Sequence, residues 1–119
     1  MSVQVRQLPP GPFTITPLHC GAYTAAERDK FGTTAKGGLV FKYTNVSNSV
    51  TGSAKLEVDF LQGSSVVGDN VTGSAPQVSP GQSAEGNVDA LNQGGNGVAF
   101  TTCELLNYAL PGQPGTYAP

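Results

Sequence analysis

Residues 55–60, Lys-Leu-Glu-Val-Asp-Phe, alternate charged and apolar side chains without a break. Successive side chains of an extended chain point to opposite faces. Leu56, Val58 and Phe60 therefore share one face, and Lys55, Glu57 and Asp59 share the other. One apolar and one wet face is the pattern of an antiparallel sheet packed on a single side. The same period recurs at 37–48, GGLVFKYTNVSN. There Leu39, Phe41 and Tyr43 lie on one face and Val40, Lys42 and Thr44 on the other.

The rest of the chain follows this lead. Residues 2–8, SVQVRQL, read as a short strand or an extended arm, stopped by PPGP at 9–12. FTITPL at 13–18 alternates again, with Pro17 marking an edge strand or a strand end. TAAE at 24–27 has the spacing of a capping box, followed by RDKFG, which allows one short helical insert. FLQGSSVVG reads as a hairpin, APQVSPGQS at 75–83 as a loop, and AEGNVDAL at 84–91 as a weaker strand. In VAFTTCELLNYAL at 98–110, Val98 and Phe100 share one face while Ala99, Cys103 and Leu105 share the other. Parity does not say which is inward. No βαβ alternation is present. The expected fold is all-β: a small immunoglobulin-like antiparallel β-sandwich with one short helical insert. It forms a single domain over residues 1–110, with a Pro/Gly-rich mobile tail at 111–119.

Only 12% of the 119 residues are charged and the net charge is -2. No run of Lys or Arg offers a phosphate backbone its electrostatic footprint, so nucleic acid is disfavoured as a partner. No segment approaches the length of a membrane span. A surface of Ser, Thr, Gly and Asn with few charges suits an extracytoplasmic module. Residues 1–12 form no hydrophobic leader, so an exported form is one from which a leader has been removed.

The central run GLVFKYTNVSNSVTGSAKLEVDFLQGSSVVGDNVTGSAPQVSPGQSAEGNVDA resembles the FxLYD-type family of small, mostly exported bacterial β-sandwich domains. Tyr43 to Asn48 match its strand ending in an Asn-rich turn. Val58, Asp59 and Phe60 match its alternating strand with an aromatic end. Gly63 to Gly68 match its hairpin and Val78 to Ser83 its Pro-Gly turn. The likeness spans about residues 37–105 and departs at Leu61-Gln62, where the family has a clearer aromatic. It implies an accessory, extracytoplasmic, often lipoprotein-borne module. It transfers no functional residue.

Two cysteines stand far apart. Joined, Cys20 and Cys103 would close a loop of about 84 residues, worth roughly 4–5 kcal/mol in the chain-entropy model. Left apart, they would be two buried thiols. His19 beside Cys20 suggests a His-activated thiolate, but adjacent side chains on an extended segment point to opposite faces. Glu57 and Asp59 share a strand face, which is also the ordinary wet face of a half-buried strand. Asp69, Asn70 and Asp89 lack the dense spacing of a calcium loop. NVS at 45–47 and NVT at 70–72 match the glycosylation sequon. Tyr23, Phe31, Tyr108 and Tyr117 fall outside the clean alternations and form the candidate binding surface, if they are exposed together.

These readings name no catalytic residue, metal or cofactor. The expectation is an exported, non-enzymatic binding or accessory module, extracellular or associated with the cell envelope. Its partner would be a protein, an envelope component or a small ligand, held by loops or an open sheet face. The alternative is a structural subunit of a surface layer, capsid or appendage, assembled through SVQVRQLPPGP and the C-terminal tail. An enzyme is the third choice.

Overall fold

The computed structural model describes residues 2–5, 11–47, 52–110 and 115–118. Seven strands and one helix follow in order: β1 (Ser2–Val5), β2 (Phe13–Ala22), α1 (Ala25–Phe31), β3 (Gly37–Asn45), β4 (Gly52–Gln62), β5 (Ser65–Val78), β6 (Ser83–Asp89) and β7 (Thr102–Ala109). They form two sheets, ordered β1-β7-β4-β5 and β2-β3-β6. The expected small all-β sandwich is the observed fold. One pairing departs from the antiparallel expectation: β1 runs parallel to β7.

The alternating stretches build the centre. Leu39, Phe41 and Tyr43 of β3 meet Leu56, Val58 and Phe60 of β4, and all six are fully buried. Phe13 stands edge-on to Tyr43 and to Tyr108. The disulfide Cys20–Cys103 ties β2 to β7, and so one sheet to the other, with Cα atoms 6.1 Å apart across a sequence separation of 83.

Three points of the sequence reading are decided by the structure, the first of them as a correction. The segment at 75–78 is strand rather than loop, because β5 continues to Val78. Pro76 is tolerated since β5 lies at a sheet edge, and Ala75 and Val78 are buried. Of the two readings of Pro17 the edge strand holds: β2 runs past it at the edge of its sheet, with an irregular register between Pro17 and His19. The undecided parity of β7 has a specific cause. Glu57 pairs with Asn107 but Val58 pairs with Leu105, so Leu106 is an extra residue that shifts the phase. Cys103 and Leu105 are buried before this bulge, and Leu106, Tyr108 and Leu110 at and after it.

Part of the C-terminal tail is described. Tyr117 bridges to Tyr108, with N–H···O bonds of 2.9 and 3.1 Å in the two directions and ring centroids 5.5 Å apart. Residues 111–114 and Pro119 lie outside the described residues, as do 6–8 of the expected first strand and 9–10 of the PPGP stop.

Asn45 is the one buried polar residue among the described core. Its Nδ2 donates to the Val78 carbonyl at 3.1 Å, and its Oδ1 accepts from the Ser47 amide and hydroxyl. Its backbone pairs with Gln82 and Gly81. The Asn turn after β3 and the Pro-Gly turn before β6 are thus one structure, joined through Asn45. A side chain so enclosed is not available as a glycan acceptor.

Candidate functional site: the cleft beside the helical insert

The insert forms as the TAAE spacing requires. Thr24 Oγ1 accepts from the Glu27 amide at 3.1 Å, and Glu27 Oε1 accepts from the Thr24 amide at 2.8 Å. Gly32 ends the helix at φ 63°, a left-handed conformation that glycine adopts without strain. α1 buries none of its own residues. It is held instead by polar contacts at its rim. Arg28 donates to the Tyr23 carbonyl at 2.9 Å, and Lys30 pairs with Glu85 at 2.6 Å. His19 Nδ1 lies 3.1 and 3.0 Å from the two oxygens of Glu27. The Thr24 amide, opposed by partial burial and reinforced by His19, holds the Glu27 carboxyl below its ordinary range.

Tyr23 links the insert to the sandwich. Its amide donates to the Lys36 carbonyl at 2.9 Å. Its hydroxyl donates to Asp89 Oδ1 at 2.9 Å and accepts from Asn87 Nδ2 at 3.2 Å. Burial raises the Tyr23 hydroxyl well above the ordinary phenol range, with Asp89 adding to the effect, so it remains a donor. Gly38 makes the approach: a Cβ there would stand 2.3 Å from the Tyr23 hydroxyl and 2.1 Å from the Val88 carbonyl. Asp89 also accepts from Asn87 Nδ2 at 2.9 Å and, through Oδ2, from Thr33 Oγ1 at 2.9 Å. Three side chains from three segments therefore fix one carboxylate.

Above this network lies a cleft of about 870 Å³. One wall is the connection after α1, residues 33–37, and the other runs from Asp89 through the 91–100 connection before β7. The wall is mostly apolar or small, with Ala35, Ala90, Val98, Ala99 and Phe100, and carries Lys36. A second, more polar hollow of about 430 Å³ shares Thr33, Thr34, Asp89 and Leu91 with the first. It extends past Phe31 to Thr72 and Asn87.

The four aromatic residues proposed from sequence do not make one surface. Tyr23 is 5% exposed and Tyr108 is fully buried, because each hydroxyl finds partners inside the fold. Tyr117 is half-buried against Tyr108. Phe31 alone reaches the second hollow, with Lys30 Nζ 5.5 Å from its ring centroid. Cys20 is bonded to Cys103 and carries no thiolate. Asp59 is turned to the backbone and accepts from the Asn70 amide at 2.7 Å. Among the described residues, no group of three His, Cys, Asp or Glu side chains is placed to hold a metal ion. None of their helices is long and apolar enough to cross a membrane.

Sequence reasoning missed Thr33 and Asn87, and weighed Asp89 only as a carboxylate or calcium ligand. Asn87 and Asp89 share β6 while Thr33 lies in the connection after α1, and their meeting with Tyr23 depends on that residue lying inward. What the fold and site define is a disulfide-bridged β-sandwich with a loop-walled cleft at the insert. Comparison with family models, curated proteins and solved structures finds no match to this chain.

Proposed function

We propose that this domain is an exported, non-enzymatic binding module that holds its ligand in the cleft between residues 33–37 and 89–100. The observation that carries the reading is the fixed floor of that cleft. Tyr23, Asn87 and Thr33 all converge on Asp89, so the walls are positioned before a ligand arrives. A carboxylate engaged by three donors serves as a brace rather than as a free acid or base. The apolar wall with one cation favours a largely uncharged ligand, such as an envelope glycan fragment or a peptide segment of a partner. The intersheet disulfide supports an oxidising, extracytoplasmic setting. The FxLYD-type motifs point the same way.

Ligand-observed NMR against a panel of oligosaccharides and short neutral peptides tests this reading. Binders are expected to be lost in Ala99→Trp, which fills the cleft from an exposed position and should leave the melting temperature unchanged. A panel with no binder, or binders indifferent to Ala99→Trp, would overturn it.

A further inference from the structure

We propose that β1 is an exchangeable strand: the edge of β7 that it occupies accepts residues 2–5 of a second copy in the same register, joining two copies reciprocally. β1 pairs through four residues, Ser2 with Thr102, Val3 with Cys103, Gln4 with Glu104 and Val5 with Leu105. It is the one parallel pairing among the described strands. Without it, β7 becomes the edge of its sheet and presents a row of open backbone donors and acceptors.

The chain behind β1 is secured independently. The Tyr108 hydroxyl bonds both the amide and the carbonyl of Phe13, and β2 begins its ladder there, with Phe13 opposite Asn45. Between Val5 and this anchor the sequence reads Arg-Gln-Leu-Pro-Pro-Gly-Pro. Proline fixes its own φ and pushes the preceding residue toward extended backbone, which disfavours a compact reversal. The hydrogen bonds made by β1 are the same whether it comes from its own chain or another. The connector therefore decides between the two through its reach and the effective concentration it imposes.

The occupant is a second copy because the edge already has a complement of known register, and that complement is part of this chain. A net charge of -2 opposes pairing of copies only weakly. Reciprocal exchange closes on itself with twofold symmetry and leaves no open β7 edge. This inference is independent of the cleft, which lies at the insert.

The test varies the connector in the full chain. Deleting Leu8, Pro9 and Pro10 cuts the connector from seven residues to four and so raises the cost of returning β1 to its own β7. Inserting a Gly-Ser stretch after Leu8 makes return easier. Light scattering after size exclusion, from micromolar to millimolar protein, is expected to show a doubled mass for the shortened chain and a single mass for the lengthened one. Val3→Pro with Val5→Pro in the shortened chain is expected to restore the single mass, because proline cannot donate to the ladder. A shortened chain that stays monomeric, or a dimer that survives the two prolines, overturns the proposal. If the shortened chain does not fold, unmodified protein carrying donor or acceptor dyes is mixed at millimolar concentration, warmed to its melting region and cooled. Energy transfer that persists on dilution is expected, and its absence overturns the proposal equally.

Discussion

The hydroxyl of Tyr108 is bonded at once to the amide and to the carbonyl of Phe13, 3.0 Å from each. A strand near the end of the chain thus grips the first residue of β2, in the interior and 95 positions away. Replacing Tyr108 by Phe keeps the ring and leaves two buried backbone groups without that partner. The expected loss is about 1–3 kcal/mol, read from urea unfolding with an unchanged slope. A neutral result would mean that water or a shifted Tyr117 takes over the bonds.

Asn45 joins two turns from inside the fold. Asn45→Ala removes the donor to Val78 and the acceptor for Ser47 together. Destabilisation of about 2–3 kcal/mol is expected, at the upper end for a buried polar group whose partners are stranded. Asn45→Asp separates the two roles, because it keeps the acceptor and loses the donor. In this fully buried site its second oxygen would face the Val78 carbonyl, so at pH 7 it should destabilise at least as much as Ala and recover on acidification, when the protonated acid can donate again.

Reducing the disulfide removes a link across 83 positions. Cys20→Ser with Cys103→Ser should lower stability by roughly 4–5 kcal/mol, mainly by freeing the unfolded chain. Guanidinium midpoints with and without reductant are expected to coincide for the double variant and to differ for the parent.

α1 is held by caps rather than by burial, so its response should be local. Glu27→Ala removes the return half of the capping box and the contact with His19. A local loss of about 1 kcal/mol is expected. It would appear as faster amide exchange over residues 24–32, with protection in β3 and β4 unchanged. The Glu27 carboxyl titrates below its ordinary range in the folded state. Its contribution is therefore present above that range and lost as pH falls through the lowered value. The protection factors of α1, corrected for the intrinsic slowing of exchange in acid, should fall on acidification in the parent and stay constant in the variant.

Asp59 has the opposite sign. Burial raises its carboxyl above the ordinary range, the Asn70 amide opposes this, and Asp69 and Glu104 add to the rise. The favourable form is the protonated one, so its stabilisation is present at acid pH and lost as pH rises through the raised value. Asp59→Asn keeps an oxygen for the Asn70 amide and removes the charge. It should stabilise the fold at pH 7 by a fraction of a kcal/mol, with the gain disappearing toward pH 3. Thermal melts at the two pH values check this.

The parts legible in sequence were those governed by local periodicity. Leu39, Phe41 and Tyr43, and Leu56, Val58 and Phe60, face inward as their spacing requires. The TAAE box caps a helix for the same local reason. What was hidden depends on distant partners. The bulge at Leu106 is visible only in the register of β7 against β4. Tyr23 lacked an alternation to place it, and it lies inward because Asp89 and Asn87 meet its hydroxyl from across the sheet. The Asp89 brace could not be read without that knowledge. The Pro80–Gly81 turn suggested a loop over 75–83, but β5 runs on to Val78 because its edge position tolerates Pro76.

The link between Cys20 and Cys103 also divides the chain mechanically. Tension applied at Met1 and Pro119 passes through the first twenty residues, across the sulfur bridge and along the last seventeen. Everything between the cysteines, including β3, β4, β5, β6 and both walls of the cleft, lies off the load path. At about 3.5 Å per residue, stretching would release roughly 130 Å of chain instead of roughly 420 Å. A domain pulled by its ends would yield β1 and the Tyr108–Phe13 clamp first, while the cleft stayed within an unstretched covalent ring.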